Sequence, residues 1–270
     1  MNLTDVAVLR ALLDEHGLHA SKRHGQHFLT SPAVVAAILD ACPPDASVLE
    51  VGPGPGVLTR PLSQSRRTIA VEFDERLRPV LAVSAPEVEV VWGDALKVDL
   101  PSLAETLPAP RVLVSNMPYN ITGPLLVRFA DMAGLFERQI LMMQREVADK
   151  VLAAPGDRNR GALSVDLQSR FAIRKIADAP GGAFWPPPKV DSAILLFEPL
   201  PEQPHPGLKP LLRAGFAQPR KTLANNLASG LGRARSEVVG WLESLGLAPD
   251  VRPAALDVRQ WDRVRACADE

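Results

Sequence analysis

A short polar segment at residues 115–120 (SNMPYN) contains the side chains best suited to chemistry. The side-chain oxygen of Asn116 and the carbonyl of Pro118 can each accept a hydrogen bond from an aromatic amino group such as N6 of adenine. Together these bonds would turn the nitrogen lone pair toward an electrophile. Tyr119, the one tyrosine in the chain, offers a face on which a base can stack, as enzymes that act on extruded bases require. Asn and Pro are also common turn formers, so a purely structural β-turn is the alternative.

A glycine-rich loop precedes this segment at residues 50–59 (EVGPGPGVLT). Glycine lets the backbone turn sharply and lets a ligand approach without a Cβ in the way. The loop departs from the dinucleotide-binding pattern G-x-G-x-x-G, because Val57 stands in place of the third glycine. Pro53 and Pro55 also remove two N–H donors that could bind a pyrophosphate. The loop therefore favours a nucleoside cofactor without phosphates, such as S-adenosylmethionine.

One carboxylate ends the next strand-like segment, and another lies just past the strand-like segment after it. Glu72 can accept hydrogen bonds from both ribose hydroxyls of such a cofactor, and Asp94, in Gly93-Asp94-Ala95, can accept one from its adenine amino group. An exposed charge at a strand end is the simpler alternative for Glu72. Open α/β sheets bind ligands at the carboxyl ends of parallel strands, and both carboxylates and the Asn116 segment fall there.

The elements that must position these residues are five short segments rich in apolar and β-branched residues, which predict buried strands. They lie at residues 47–52, 68–72, 88–92, 111–116 and 139–143. Helices are predicted between them, for example at residues 32–41, capped by Ser31, and at 75–85. Strands that alternate with helices predict an α/β fold with a Rossmann-like parallel sheet.

The pattern changes near residue 200. Before it, residues 162–172 predict a helix, 174–178 a short strand and 190–197 a longer strand. After it comes a proline-rich stretch and then helical spacing alone, at residues 208–216, 223–231, 236–245 and 260–267. We therefore expect a catalytic domain at residues 1–200 and a small all-α domain at residues 201–270.

Charge is unevenly distributed, although the net charge is only −1. Residues 205–236 contain six basic residues and no acid, and residues 16–39 contain Lys22, Arg23 and four histidines, again without an acid. Such runs are either solvated faces or contacts for nucleic-acid phosphates.

No stretch approaches the about 20 apolar residues that span a bilayer, and the first fifteen residues do not resemble a secretory signal. Cys42 and Cys267 are far apart in the sequence, so neither a disulfide framework nor a metal site is expected, and the chain is expected to be cytoplasmic.

Taken together, the motifs resemble those of the ribosomal RNA adenine N6-dimethyltransferases, especially the small-subunit (16S) type. The resemblance covers the segments already described and five more in order along nearly the whole chain. These are residues 26–29 (QHFL), 144–148 (QREVA), 161–164 (GALS), 184–192 (FWPPPKVDS) and 216–226 (FAQPRKTLANN).

The resemblance implies particular roles for individual residues. Contacts with S-adenosylmethionine are implied at His27, Leu29, Gly52, Gly54, Glu72, Asp94, Ala95 and Asn116. Asn116, Pro118 and Tyr119 are implied to form the pocket for the target base, with Phe184 stacking on the other face of that base. The basic residues Lys209, Arg213, Arg220 and Lys221 are expected to contact RNA phosphates. The implied product is N6,N6-dimethyladenosine at two adjacent positions near the 3′ end of the RNA. We expect a monomer that acts on a precursor of the small subunit, and we expect neither a metal nor a membrane to take part.

The chain departs from the family pattern at several positions. His27 replaces the usual Asn, although an imidazole can still donate to the methionine carboxylate. Met117 replaces Leu, a swap that conserves volume. Pro219 replaces one of two adjacent arginines, and position 162 lacks the basic residue often found there.

Three other functions stay open from the sequence. Large-subunit resistance methylases share the catalytic motifs but fit residues 186–192 and 220–226 less well. DNA adenine methyltransferases share the Asn-x-Pro-Tyr segment but lack the helical tail. A ribosome-assembly factor whose methylation is secondary is the alternative from a different class.

Overall fold

The computed structural model describes residues 1–20 and 26–269, so Lys22 and Arg23 of the first basic run lie outside the described residues. The chain divides into two compact units. The first contains Met1–Ala148 and Ile173–Pro199, and the second contains Asp149–Ala172 and Leu200–Glu270.

The strands of the described chain form one large and one small sheet. They are β1 (Phe28–Leu29), β2 (Ser47–Val51), β3 (Thr68–Glu72), β4 (Glu89–Trp92), β5 (Arg111–Asn116), β6 (Arg138–Gln144), β7 (Phe171–Ala179), β8 (Phe184–Trp185) and β9 (Ser192–Pro199). The large sheet has the order β4-β3-β2-β5-β6-β9-β7, and β1 pairs with β8 in the small one. Strands β4, β3, β2, β5 and β6 are mutually parallel, whereas β9 runs antiparallel to β6. The expected α/β sheet is confirmed, but it is mixed rather than wholly parallel.

The helices predicted at residues 32–41, 208–216, 223–231 and 236–245 are present to within one residue at each end. The helices of the described chain are α1 (Val6–Glu15), α2 (Pro32–Ala41), α3 (Thr59–Ser63), α4 (Arg78–Ser84), α5 (Leu100–Glu105), α6 (Thr122–Ala130), α7 (Arg145–Leu152), α8 (Ala162–Arg170), α9 (Leu208–Gly215), α10 (Leu223–Leu231), α11 (Arg235–Ser244) and α12 (Val258–Asp269). Ser31 caps α2 as predicted, since its hydroxyl accepts a hydrogen bond from the Val34 N–H. None of the helices in the described ranges combines the length and the apolar character needed to cross a bilayer.

The core of the first unit explains why its central strands are so apolar. Strands β2 and β3 are buried along their whole length, as expected for parallel strands covered on both faces. The five predicted central strands agree with β2 to β6 to within one residue at each end. The helix predicted at residues 162–172 ends at Arg170, because Phe171 has already entered the extended conformation of β7.

The second unit has a helical core of its own. Val165 of α8 belongs to the same buried cluster as Leu212, Leu227 and Trp261 of the tail helices. The buried guanidinium of Arg160 also donates to the carbonyl oxygens of Ala153 (2.6 Å) and Leu256 (3.2 Å), which ties residues 149–172 to the tail. The sequence-based division near residue 200 therefore left out one segment of this unit. An amphipathic helix does not reveal in its own sequence which core its apolar face will join.

Candidate active site

The carboxyl ends of four strands meet at one edge of the large sheet. Val51 of β2 lies beside Val71 of β3 and Ser115 of β5, and Glu72 lies beside Trp92 of β4. The loops after these strands are therefore neighbours. They line a cavity of about 260 Å³.

The glycine-rich loop after β2 forms one wall of this cavity. Gly54 has a φ of +57°, and a Cβ at this position would lie 3.4 Å from the ring of Phe28. Gly56 has a φ of +93°, and its Cβ would lie 2.6 Å from Oγ of Ser84. The positive φ favours glycine at both positions, and at Gly56 the close approach of Ser84 also excludes a side chain. A Cβ on Gly52 would lie 3.6 Å from the carbonyl oxygen of Asn116, which places the glycine loop directly against the polar segment.

Glu72 is held by backbone donors at the end of β3. Its Oε1 accepts from the Asp74 N–H (2.8 Å) and its Oε2 accepts from the Gly54 N–H (3.0 Å). A carboxylate has about four lone-pair positions, and the Phe73 backbone also contributes a hydrogen bond, so capacity remains for a ligand hydroxyl. Burial raises the pKa of Glu72 above its ordinary value.

Glu50 is a cavity residue that the sequence analysis did not single out as a ligand contact, although it opens the glycine motif. Its side chain lines the cavity and is 1% exposed. Burial raises its pKa to about 8, and the nearby Glu72 carboxylate adds to this effect. Oε2 of Glu50 has no hydrogen-bond partner within the described chain. The buried Thr59 hydroxyl also has no partner that satisfies hydrogen-bond geometry, yet it lies close enough to Glu50 to oppose the rise in its pKa.

The loop after β4 brings Asp94 and Ala95 into the cavity. Asp94 Oδ1 accepts from the Leu96 N–H (2.9 Å), and the Gly93 N–H donates to the carbonyl of Glu72 (2.8 Å). Arg128 of α6 secures the far side of this loop by donating to the carbonyl oxygens of Leu96 and Val98. Arg128 was not visible as a functional residue in the sequence, because its partners are backbone atoms about thirty residues away.

The polar segment after β5 is more constrained than its sequence suggests. The Pro118 carbonyl already accepts from Thr122 Oγ1 (3.0 Å) and from the Ile121 N–H (3.2 Å). A carbonyl oxygen has two lone pairs, so a target amine could bind it only by replacing or sharing one of these donors. Within the described residues, we observe no hydrogen bond of the Asn116 side chain that would compete with a ligand. Asn116 lies on the cavity wall with Pro118 and Tyr119.

Tyr119 is held at its hydroxyl and at its ring. The hydroxyl forms a hydrogen bond of 2.8 Å with Oγ of the buried Ser192, and burial raises the pKa of Tyr119. The ring stacks on the imidazole of His27, with centroids 5.5 Å apart and an angle of 25° between the planes. Nδ1 of His27 lies 2.7 Å from the carbonyl oxygen of Pro186. A carbonyl only accepts, so Nδ1 carries the proton and Nε2 of the neutral ring has none to donate to a cofactor carboxylate.

The residues expected in the site mostly come together. Those lining the cavity are His27, Leu29, Gly52, Gly54, Glu72, Asp94, Ala95, Asn116, Pro118 and Tyr119. Phe184 is the exception: it is 3% exposed, pairs through β8 with Leu29 of β1 and belongs to the hydrophobic core of the first unit. Its ring would have to become accessible before it could stack on a base.

Comparison with known proteins decides the family. The sequence pattern that defines the family described as ribosomal RNA adenine dimethylase matches residues 17–262. The chain belongs to this family.

Named relatives of this dimethylase are similar over most of their length. Ribosomal RNA small subunit methyltransferase A of Deinococcus radiodurans is 42% identical, over 91% of this chain and 85% of the relative. The protein of that name from Phenylobacterium zucineum is 42% identical, over 92% of this chain and 94% of the relative.

Two solved structures are similar to this chain over most of its length. A dimethyladenosine transferase from Plasmodium falciparum has a TM-score of 0.73 at 26% identity, and the match covers 88% of this chain and 96% of that one. The 23S rRNA methyltransferase ErmE has a TM-score of 0.66 at 28% identity, covering 90% of this chain and 100% of that one.

The four basic residues expected to contact phosphates all lie in the second unit of the dimethylase. Lys209 and Arg213 are on α9, and Arg220 and Lys221 are in the loop before α10. The buried side chain of Asn226 holds this loop, since it accepts from the Gln218 N–H (2.9 Å) and donates to the Gln218 and Thr222 carbonyls. The loop therefore presents the exposed Arg220 and Lys221 from a fixed backbone.

Proposed function

We propose that this chain uses S-adenosylmethionine to convert two adjacent adenosines near the 3′ end of 16S ribosomal RNA into N6,N6-dimethyladenosine during assembly of the small subunit. The observation that carries this proposal is a single cavity shared by the ribose-binding candidate Glu72, the adenine-binding candidate Asp94 and the base-binding candidates Asn116 and Tyr119. The small-subunit substrate is supported by the names of the relatives that match nearly the whole chain.

The chemistry of the cavity fits S-adenosylmethionine. Glycines 52 and 54 leave a cradle that side chains would fill, and two prolines remove donors that a phosphate would need. Glu50 and Glu72 also line the cavity, where their carboxyl groups can form hydrogen bonds with a polar ligand. When bound, this cofactor supplies an electrophilic methyl group. Glu72 would hold its ribose, and Asp94 and Ala95 its adenine.

The residues of the polar segment would position the target amine. Asn116 Oδ1 accepts an N6–H bond and so orients the nitrogen lone pair toward the cofactor side of the cavity. Tyr119 supplies the stacking surface, and the Pro118 carbonyl can accept a second N–H bond when the Thr122 hydroxyl turns away. Holding two reactants in this arrangement is worth several orders of magnitude in rate, so positioning can account for most of the catalysis.

The second unit would provide the sequence-independent part of RNA binding. Arg213, Arg220 and Lys221 are exposed, and together with Lys209 they would contact phosphates of the ribosomal precursor. We place the enzyme in the cytoplasm, as a monomer that acts on a small-subunit intermediate.

A methylation assay on three substrates tests the proposal. Purified small subunits that lack the modification, large subunits and duplex DNA are each incubated with the enzyme and labelled cofactor, and the digested nucleosides are analysed by mass spectrometry. We expect N6,N6-dimethyladenosine in small-subunit RNA alone. Because the fold also resembles ErmE at a TM-score of 0.66, modification of the large subunit is the strongest competing outcome. Product only in large-subunit RNA or in DNA would overturn the substrate assignment.

A further inference from the structure

The side chain of His27 lines the cofactor cavity and also stacks on the ring of Tyr119, the proposed stacking surface for the target base. We propose that His27 is a positioning residue that couples occupancy of the cofactor cavity to the orientation of the Tyr119 ring. This inference rests on the proposed function only in taking Tyr119 as the surface on which the target base stacks.

The imidazole of His27 and the ring of Tyr119 are in direct contact. His27 and Tyr119 stack with centroids 5.5 Å apart and planes 25° apart, within the range of offset-stacked aromatic pairs. The hydrogen bond from His27 Nδ1 to the Pro186 carbonyl (2.7 Å) fixes the rotation of the imidazole. His27 therefore covers one face of Tyr119, and a target base must use the opposite face.

The residues on either side of His27 contact the segments that line the cofactor cavity. On one side of His27, the Gln26 amide donates to Asp74 Oδ2 (2.9 Å), just beyond the end of β3. On the other side, the ring of Phe28 lies against Gly54 of the glycine loop. Residues 26–28 thus contact, in turn, Asp74 beside the cofactor cavity, the Tyr119 ring and the glycine-rich loop. A ligand that moves or orders this segment will also move or order His27 against Tyr119.

The Tyr119 ring is held at its hydroxyl end. Its hydroxyl is bonded to Oγ of Ser192, which is fully buried in β9. With the hydroxyl held, the remaining freedom of the ring is rotation and tilt about that end, and the stacked imidazole restricts both. His27 is thus placed to set the tilt of the surface that a base would meet.

Because Tyr119 is the single tyrosine in the chain, its ring can be observed alone. The full-length protein is labelled with ¹³C-ring tyrosine, and NMR spectra are recorded with and without S-adenosylhomocysteine for the wild type, His27→Ala and His27→Phe. His19→Asn is the matched control, since His19 is a surface histidine with an 82% exposed side chain. We expect His27→Ala to shift the Tyr119 signals and to abolish most of the change caused by the ligand, whereas the control behaves as the wild type. Identical Tyr119 signals in the wild type and His27→Ala, or an identical response to the ligand, would overturn the proposal.

Kinetics separate positioning from simple cofactor binding. At saturating cofactor, His27→Ala should lower kcat for methyl transfer by about 10- to 100-fold, the scale expected when a reacting group is misplaced. His27→Phe should recover a large part of this loss, because it restores a flat ring against Tyr119. A raised KM for the cofactor with kcat unchanged would show that His27 is only a cofactor contact and would overturn the inference.

The two proposals fail separately. If the Tyr119 signals respond to the ligand in the same way in the wild type and in His27→Ala, while the wild type methylates small subunits, only the role of His27 is contradicted. Coupling at Tyr119 in a protein that methylates large subunits or DNA contradicts the proposed substrate alone.

Discussion

The Tyr119 hydroxyl and Ser192 Oγ lie 2.8 Å apart, and Ser192 is completely buried. A residue expected only to stack is therefore also anchored through its polar end to the antiparallel strand β9. This bond joins the segment after β5 to β9 across a separation of 73 residues.

Removing the Tyr119 hydroxyl should therefore affect folding more than stacking. We expect Tyr119→Phe to lower the free energy of unfolding by about 1–3 kcal/mol, because Ser192 Oγ is left buried without its partner. The double variant Tyr119→Phe with Ser192→Ala should lose less than the sum of the single variants. Urea unfolding of the four proteins checks this, and additive losses would show that the bond contributes nothing. Tyr119→Ala should in addition lose about 1–3 kcal/mol of base stacking.

Replacing Asn116 should separate chemistry from binding. Asn116→Ala removes the proposed acceptor for the target amine, so methyl transfer should be nearly abolished while RNA binding stays close to that of the wild type. Cofactor affinity should fall only modestly. Single-turnover assays at saturating cofactor, together with filter binding of the RNA, make the comparison. A wild-type rate in the variant would remove Asn116 from the base pocket.

Cofactor affinity should depend on Glu72. Loss of its carboxylate should weaken S-adenosylmethionine binding by roughly 1.5–3 kcal/mol, the range for a hydrogen bond to a charged group. Glu72 also accepts from the Gly54 and Asp74 N–H groups through different oxygens, and a glutamine can accept only one of these bonds. Glu72→Gln is therefore the closest variant in shape, and its folding is checked before its affinity is measured. Calorimetry on a folded Glu72→Gln protein with unchanged affinity would exclude Glu72 from the ribose site.

Glu50 should make stability depend on pH. Its pKa is raised from 4.5 to about 8 in the folded protein. Between pH 4.5 and pH 8, the folded state therefore holds a proton that the unfolded state has released. Stability therefore falls as pH rises through this window, by an amount on the order of a few kcal/mol. Glu50→Gln cannot release a proton, so its stability relative to the wild type should increase from pH 5 to pH 8.

Unfolding curves across that pH range provide the test for Glu50, with Glu87→Gln as the control because Glu87 is exposed on the surface. The same pH dependence in the wild type and in Glu50→Gln would show that the Glu50 proton is not retained on folding.

The basic loop before α10 should act through charge. Arg220→Ala should weaken RNA binding and lower the slope of log K against log salt by about 0.7–0.9, the value of one phosphate contact. Arg233→Ala is the matched control, because Arg233 is also exposed but is paired with Glu237 at 3.1 Å. If both variants give the same slope as the wild type, the loop is a solvated surface rather than an RNA contact.

Local sequence patterns determined the central strands, the capped helix α2, the glycine loop and the family of this protein. These features depend on residues close together in the chain: apolar runs that must be buried, a hydroxyl before a helix, and glycines where the backbone has a positive φ. The neighbouring positions of Glu72, Asp94 and Asn116 could also be foreseen, since parallel strands bring their carboxyl ends to one edge of a sheet.

Only the tertiary structure decided the partners of individual groups. Residues 149–172 join the helical unit, the Pro118 carbonyl is already bonded, Phe184 is buried, and His27 stacks on a tyrosine 92 residues away. Glu50 opens a recognisable motif, yet its unpartnered oxygen and raised pKa appear only when the strands around it are in place. The physical reason is the same in each case. Burial and hydrogen bonding depend on which distant segments meet, and a residue's own sequence neighbourhood carries little information about them.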